Sequence, residues 1–97
     1  MDEAAVRTAA EGHAQATVAK DFKAAGATLT PEAMAQAGDV MKAMPGELSG
    51  CEITGVETGS ESTIVTIAYR GESGETTVRS SWAEIDGRPM ITNLAVG

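Results

Sequence analysis

The sequence predicts an α+β domain in which two N-terminal helices pack on a four-stranded antiparallel meander sheet. Three observations predict it. The residue alphabet changes near position 47: residues 1–47 hold 14 of the 17 alanines and four of the five methionines, while residues 48–97 hold nine Val and Ile, seven Thr, the Tyr and the Trp. Alanine and methionine favour helices, and β-branched and aromatic residues favour strands. The segment Thr30-Pro31-Glu32 reads as a helix start, and Asp86-Gly87 reads as a hairpin turn. Helices first and strands second give segregated layers, with the helices on one face of an antiparallel sheet.

The first helix is predicted over about 2–25. Asp2 and Glu3 lie in its first turn, where the helix dipole favours negative charge. Val6, Ala10, Ala14, Val18 and Phe22 recur every four residues and form one apolar stripe of mostly small side chains. Lys20 and Lys23 approach its C-terminal end and Gly26 stops it. The second helix, over 31–44, has Thr30 as N-cap, Pro31 at the first position and Glu32 in the first turn. Met34, Ala37, Met41 and Met44 make its apolar face, and Pro45-Gly46 ends it.

Strands follow at about 50–58, 62–70, 75–84 and 88–96, joined by turns at Gly59-Ser60, Gly71-Glu72-Ser73-Gly74 and Asp86-Gly87. In the second strand Thr63, Val65, Ile67 and Tyr69 share one face, and Ile64, Thr66, Ala68 and Arg70 the other. Both faces are partly apolar, so the outer one suits a second copy of the sheet. For the last hairpin, a three-residue loop with Gly87 left-handed would pair Glu84 with Arg88. It would bring Val78, Trp82, Met90 and Leu94 onto one face, against the helices.

Composition limits the function. The formal net charge is −7, from seven Lys and Arg against 14 Asp and Glu, spread evenly along the chain. This balance disfavours nucleic acid, whose phosphates need clustered cations. No apolar run reaches membrane-spanning length, and the acidic Met1-Asp2-Glu3 opening is not a signal-peptide pattern. One Cys and one His leave no disulfide framework and no ordinary zinc site, and no cofactor motif is present. Leu, Ile, Val and Phe number only 16 of 97 residues. That points to a thin core, which a homodimer through the sheet would complete.

The closing segment Trp82-Ala83-Glu84-Ile85-Asp86-Gly87-Arg88-Pro89-Met90-Ile91 resembles the hairpin that ends many nuclear transport factor 2-like (SnoaL-like) domains. The segments Leu29-Thr30-Pro31-Glu32-Ala33 and Met44-Pro45-Gly46 resemble a small bacterial branch of that superfamily. The resemblance covers residues 29–96 and is one of pattern. The length of 97 residues suits a single domain over 1–97, and the resemblance implies the cystatin-like α+β roll, whose cone encloses ligands. The superfamily includes isomerases and cyclases, but no Asp of this chain matches the isomerase motif position. Fold likeness alone does not give activity.

On these grounds the chain is expected to be a non-catalytic ligand-binding or protein-interaction module, either cytoplasmic or the mature part of an exported bacterial protein. The alternatives are a small isomerase- or cyclase-like enzyme and a structural dimerisation domain. A small apolar ligand would meet Phe22, Met34, Met41, Trp82 and Met90, because methionine adapts to irregular apolar shapes. His13, at the edge of the first helix's stripe, and Tyr69 are the weak catalytic candidates. Arg79, Ser81 and Asn93 form a polar patch on one sheet face, with Arg79 and Asn93 as cross-strand partners. No metal-binding set is expected.

Overall fold

In the computed structural model, which describes residues 2–97, the helical half of the chain forms three helices rather than two. They are α1 (Glu3–Val18), α2 (Phe22–Gly26) and α3 (Pro31–Lys42). The helix expected over 2–25 breaks after Val18. Lys20 adopts a left-handed backbone with φ 61°. Its N–H donates to Thr17 O, and the Asp21 N–H donates to Ala16 O at 2.9 Å. These two bonds close a Schellman motif, which ends a helix by satisfying its last carbonyls. Asp21 then caps α2, its carboxylate accepting from Ala24 N–H at 3.2 Å. The apolar stripe continues through this region, so periodicity alone does not reveal the break. The Asp21 cap competes with the continued helix and wins. α3 begins at the expected Thr30 cap and ends at Lys42, two residues earlier than expected.

The strand half forms β1 (Leu48–Thr58), β2 (Thr63–Gly71), β3 (Gly74–Ile85) and β4 (Arg88–Val96) in one antiparallel sheet of order β1-β2-β3-β4. Thr63, Val65, Ile67 and Tyr69 of β2 are all buried on the helix side, opposite Trp82, Ser80, Val78 and Thr76 of β3. Val6, Ala10 and Ala14 of α1 lie against this face. Their small side chains let the helix approach the sheet closely, so few large residues are needed to exclude water.

The last hairpin differs from the expected register. Ile85 pairs with Arg88 across a two-residue turn in which Asp86 and Gly87 both have positive φ, 53° and 80°. That is the primed turn whose twist matches the strands. This register would split the apolar residues between faces were it not for a bulge. Trp82 pairs with Ile91 and Ser81 with Asn93, so Thr92 is an extra residue on β4. The bulge brings Leu94 back to the buried face with Val78, Trp82 and Ile91. Trp82 thus faces inward as expected, while Met90, opposite Ala83, lies on the outer face.

Two further bulges interrupt β1, at Ser49 and Thr54. All three extra residues carry hydroxyls, and each donates to a carbonyl of the facing strand. Ser49 bonds Arg70 O at 3.4 Å, Thr54 bonds Thr66 O at 3.4 Å and Thr92 bonds Ser81 O at 3.3 Å. A bulge interrupts the ladder, and these side chains supply donors at the interruption.

The outer edge of β4 is covered. The loop before α3 runs parallel to it, with Ile91 N–H donating to Thr28 O at 2.7 Å and Thr30 N–H to Ile91 O at 3.0 Å. No helix among the described residues is long and apolar enough to cross a membrane.

Candidate functional site: an apolar cavity closed by a histidine

Between α2, α3 and the inner sheet face lies a cavity of about 120 Å³. Its position follows from the helix break. Because the chain turns at Lys20, α2 leaves the axis of α1, and Phe22, Ala25 and Gly26 on it line the cavity. Ala25 and Gly26 of α2 and Ala37 and Val40 of α3 form its sides. Tyr69, Val78 and Leu94 of the sheet form its base, with His13 and Thr17 of α1 closing the end.

Phe22, Met34 and Met41 also line this cavity. They are large apolar side chains that remain exposed, at 54%, 50% and 38%. They form an apolar rim continuous with an apolar interior. This is the kind of exposed patch that marks a binding surface. These three of the five sequence-predicted ligand contacts therefore come together. Trp82 does not border the cavity. It is fully buried behind His13, the two rings meeting edge to face with centroids 6.4 Å apart. Met90 is on the opposite face of the sheet.

His13 is the polar centre of the site and is only 9% exposed. Its Nδ1 lies 3.0 Å from Ala25 O and 3.2 Å from Thr28 Oγ. A carbonyl can only accept, so Nδ1 carries the proton and donates. Burial pulls the imidazole below its usual value, and the bond to Ala25 O opposes that pull only in part. At neutral pH the ring is therefore uncharged. The Thr17 hydroxyl donates to the carbonyl of His13 at 2.9 Å. Burial pushes the Tyr69 phenol up to about 12, with the neighbouring Thr17 side chain pulling the other way. Both ionisable groups of the cavity are thus neutral at physiological pH.

His13 and Tyr69, distant in sequence, are brought to one cavity. Arg79, Ser81 and Asn93 share the outer sheet face, but not in the expected pairing. Ser81 faces Asn93, and Arg79 faces Ala95, two positions beyond its expected partner, one from the two-residue turn and one from the Thr92 bulge. Asn93 is also engaged by α3, its Oδ1 accepting from Gln36 Nε2 at 2.8 Å. Sequence reasoning missed Thr17 and Ala25. Thr17 stands one helical turn beyond His13, a spacing that could have linked them. The Ala25 carbonyl carries no side-chain signal at all. Cys51 is half-buried, and burial pushes its thiol up, so it is not an activated nucleophile. Among the described residues no cluster could hold a metal ion.

Compared with protein-family models, curated proteins and solved structures, the chain matches none.

Proposed function

We propose that this chain is a small-molecule binding domain of the nuclear transport factor 2-like kind, with a cystatin-like roll. It holds an apolar ligand in the cavity between α2 and α3 and performs no chemistry on it. The observation that carries this reading is the rim. Phe22, Met34 and Met41 stay exposed around the mouth of a cavity whose walls are apolar. The cavity is somewhat smaller than the apolar cavity of about 150 Å³ that accepts benzene, but it opens at the exposed rim, so one ring or a short aliphatic chain fits with part of it among Phe22, Met34 and Met41. His13, lowered by burial, and Tyr69, pushed up to about 12, both titrate away from neutral pH, where an acid–base catalyst is most effective, which favours binding over proton transfer.

The test is a titration with toluene followed by amide NMR shifts. Saturable shifts at Gly26, Ala37 and Leu94 are expected, with a dissociation constant on the order of 0.1–1 mM for seven heavy atoms. Ala37→Leu, which fills the space, abolishes them while the fold is kept. The reading is overturned if toluene causes no saturable shift, or if the shifts map to the outer sheet face.

A second reading, a homodimer through the sheet, is favoured by half-buried Ile64 and Ala83 and exposed Ile85 on the outer face, where Ala68 and Met90 are already buried within one chain. Sedimentation tests it. A mass near twice 9.9 kDa supports it, and a monomer at tens of micromolar sinks it.

A further inference from the structure

We infer that the cavity recognises a neutral ligand bearing a hydroxyl group, a phenol or an alcohol, which donates its proton to Nε2 of His13. This rests on the binding reading above and specifies its ligand.

The inference comes from which hydrogen-bonding positions are already used. His13 Nδ1–H is engaged by Ala25 O and Thr28 Oγ, at 3.0 and 3.2 Å. Thr28 in turn donates to Ala25 O at 3.1 Å, leaving its lone pairs turned to the ring. The Thr17 hydroxyl proton is committed to His13 O. The Thr17 side chain also lies close enough to Tyr69 to oppose the upward shift of its phenol. Nε2 of His13 has no partner among the described residues. Yet no buried polar side-chain atom among them is stranded. Nε2 therefore keeps open access, and the opening that its side chain lines is the cavity.

A histidine protonated on Nδ1 presents a lone pair at Nε2 and accepts one hydrogen bond. The cavity thus offers a histidine acceptor amid mostly apolar walls, the Thr17 and Tyr69 oxygens being the other side-chain polar atoms of its lining. A ligand that lacks a donor leaves Nε2 unpaired. A carboxylate would set a negative charge beside a lone pair in a chain of net charge −7. The complementary chemistry is an uncharged ring or short chain with a single O–H. A buried acceptor that loses access to water is selective for such a ligand, because the unpaired state is penalised more than the paired state is rewarded.

Three probes of similar size separate the possibilities: toluene, 4-fluorotoluene and 4-methylphenol, titrated into the intact chain by NMR. The expected result is that 4-methylphenol binds about tenfold more tightly than the other two, and that it alone shifts the His13 Nε2 nitrogen resonance. In His13→Phe, which keeps a ring against Trp82, that order reverses, with toluene still bound. Should His13→Phe fail to fold, the Nε2 resonance of the unmodified chain decides. Equal or weaker binding of 4-methylphenol, or an unmoved Nε2 resonance, overturns the hydroxyl inference while leaving the apolar site intact. Failure of all three to bind overturns the site itself.

Discussion

The side-chain amide of Gln36 stands beside Leu94 where a fifth strand would otherwise lie. Its Oε1 accepts the Leu94 N–H at 2.7 Å, while its Nε2 donates to Asn93 Oδ1 at 2.8 Å. With the loop at Thr28–Thr30 already bonded to Ile91, this covers the β4 edge against pairing with another chain. Gln36→Ala leaves a half-buried amide without its partner. A loss of about 1–2 kcal/mol is expected, with faster hydrogen exchange at Leu94. Unchanged exchange at Leu94 would show that water replaces the side chain at no cost.

Lys20 occupies a left-handed conformation that disfavours every side chain with a Cβ. Lys20→Gly should therefore stabilise the chain by about 0.5–1 kcal/mol, the relief of strain exceeding glycine's extra freedom when unfolded. The exposed Lys20–Glu47 ion pair lost in the change contributes little. Lys20→Ala serves as the control, since it keeps the strain and removes the same pair. Thermal denaturation giving equal midpoints for the two variants would contradict this account.

Two glycines respond oppositely to alanine. A Cβ on Gly71 would sit 2.5 Å from Pro45 O and 2.8 Å from Glu47 O, both backbone atoms that cannot swing aside. Gly71→Ala is expected to destabilise by about 1–3 kcal/mol. Exposed Gly12, in the middle of α1, has open space around the same position. Gly12→Ala should stabilise by about 0.5–1 kcal/mol through helix propensity alone. Denaturant midpoints of the two variants should move apart in sign, and a shift in the same direction would refute the contrast.

Trp82 and Ser80 form a buried relay in which the indole N–H donates to Ser80 Oγ at 2.8 Å and Ser80 donates to Val65 O at 2.9 Å. Ser80→Ala strands both ends and should cost about 1–3 kcal/mol. Trp82→Ala should cost about 3–5 kcal/mol. Urea titration would place Trp82 outside the core if its removal cost under 1 kcal/mol.

The lowered pKa of His13 gives stability a definite pH dependence. In the unfolded chain the imidazole takes up a proton near its ordinary value of 6.5, whereas the buried ring resists it. Stability is therefore full above that value and falls as the pH drops toward the folded value. Between those limits the slope is at most about 1.4 kcal/mol per pH unit. Comparing unfolding at pH 7.5 and 5.5, the unmodified chain should lose more than His13→Gln, which cannot titrate. Equal losses would remove His13 as the cause.

Much of the fold is legible in local chemistry. Thr30 caps α3 as its sequence requires, with its side chain accepting from Ala33 N–H. Asp86-Gly87 forms its turn, and alternation in β2 assigns the buried face correctly. These are interactions over a few residues, where propensity and periodicity act directly. The hairpin register is not legible in the sequence, because a bulge at Thr92 changes side-chain parity without leaving any break in the pattern.

The site divides along the same line. Sequence alone determined that Phe22, Met34 and Met41 are apolar residues in the helical half with little core to enter, since their helices are built mostly of alanine. Only the tertiary structure decided that they surround one opening, because the capped break at Lys20 and Asp21 turns α2 away from α1. Only the tertiary structure could also give His13 its character. A backbone carbonyl twelve residues away fixes its proton on Nδ1 and burial keeps it neutral. A carbonyl is identical in every residue, so no sequence pattern reports where it points.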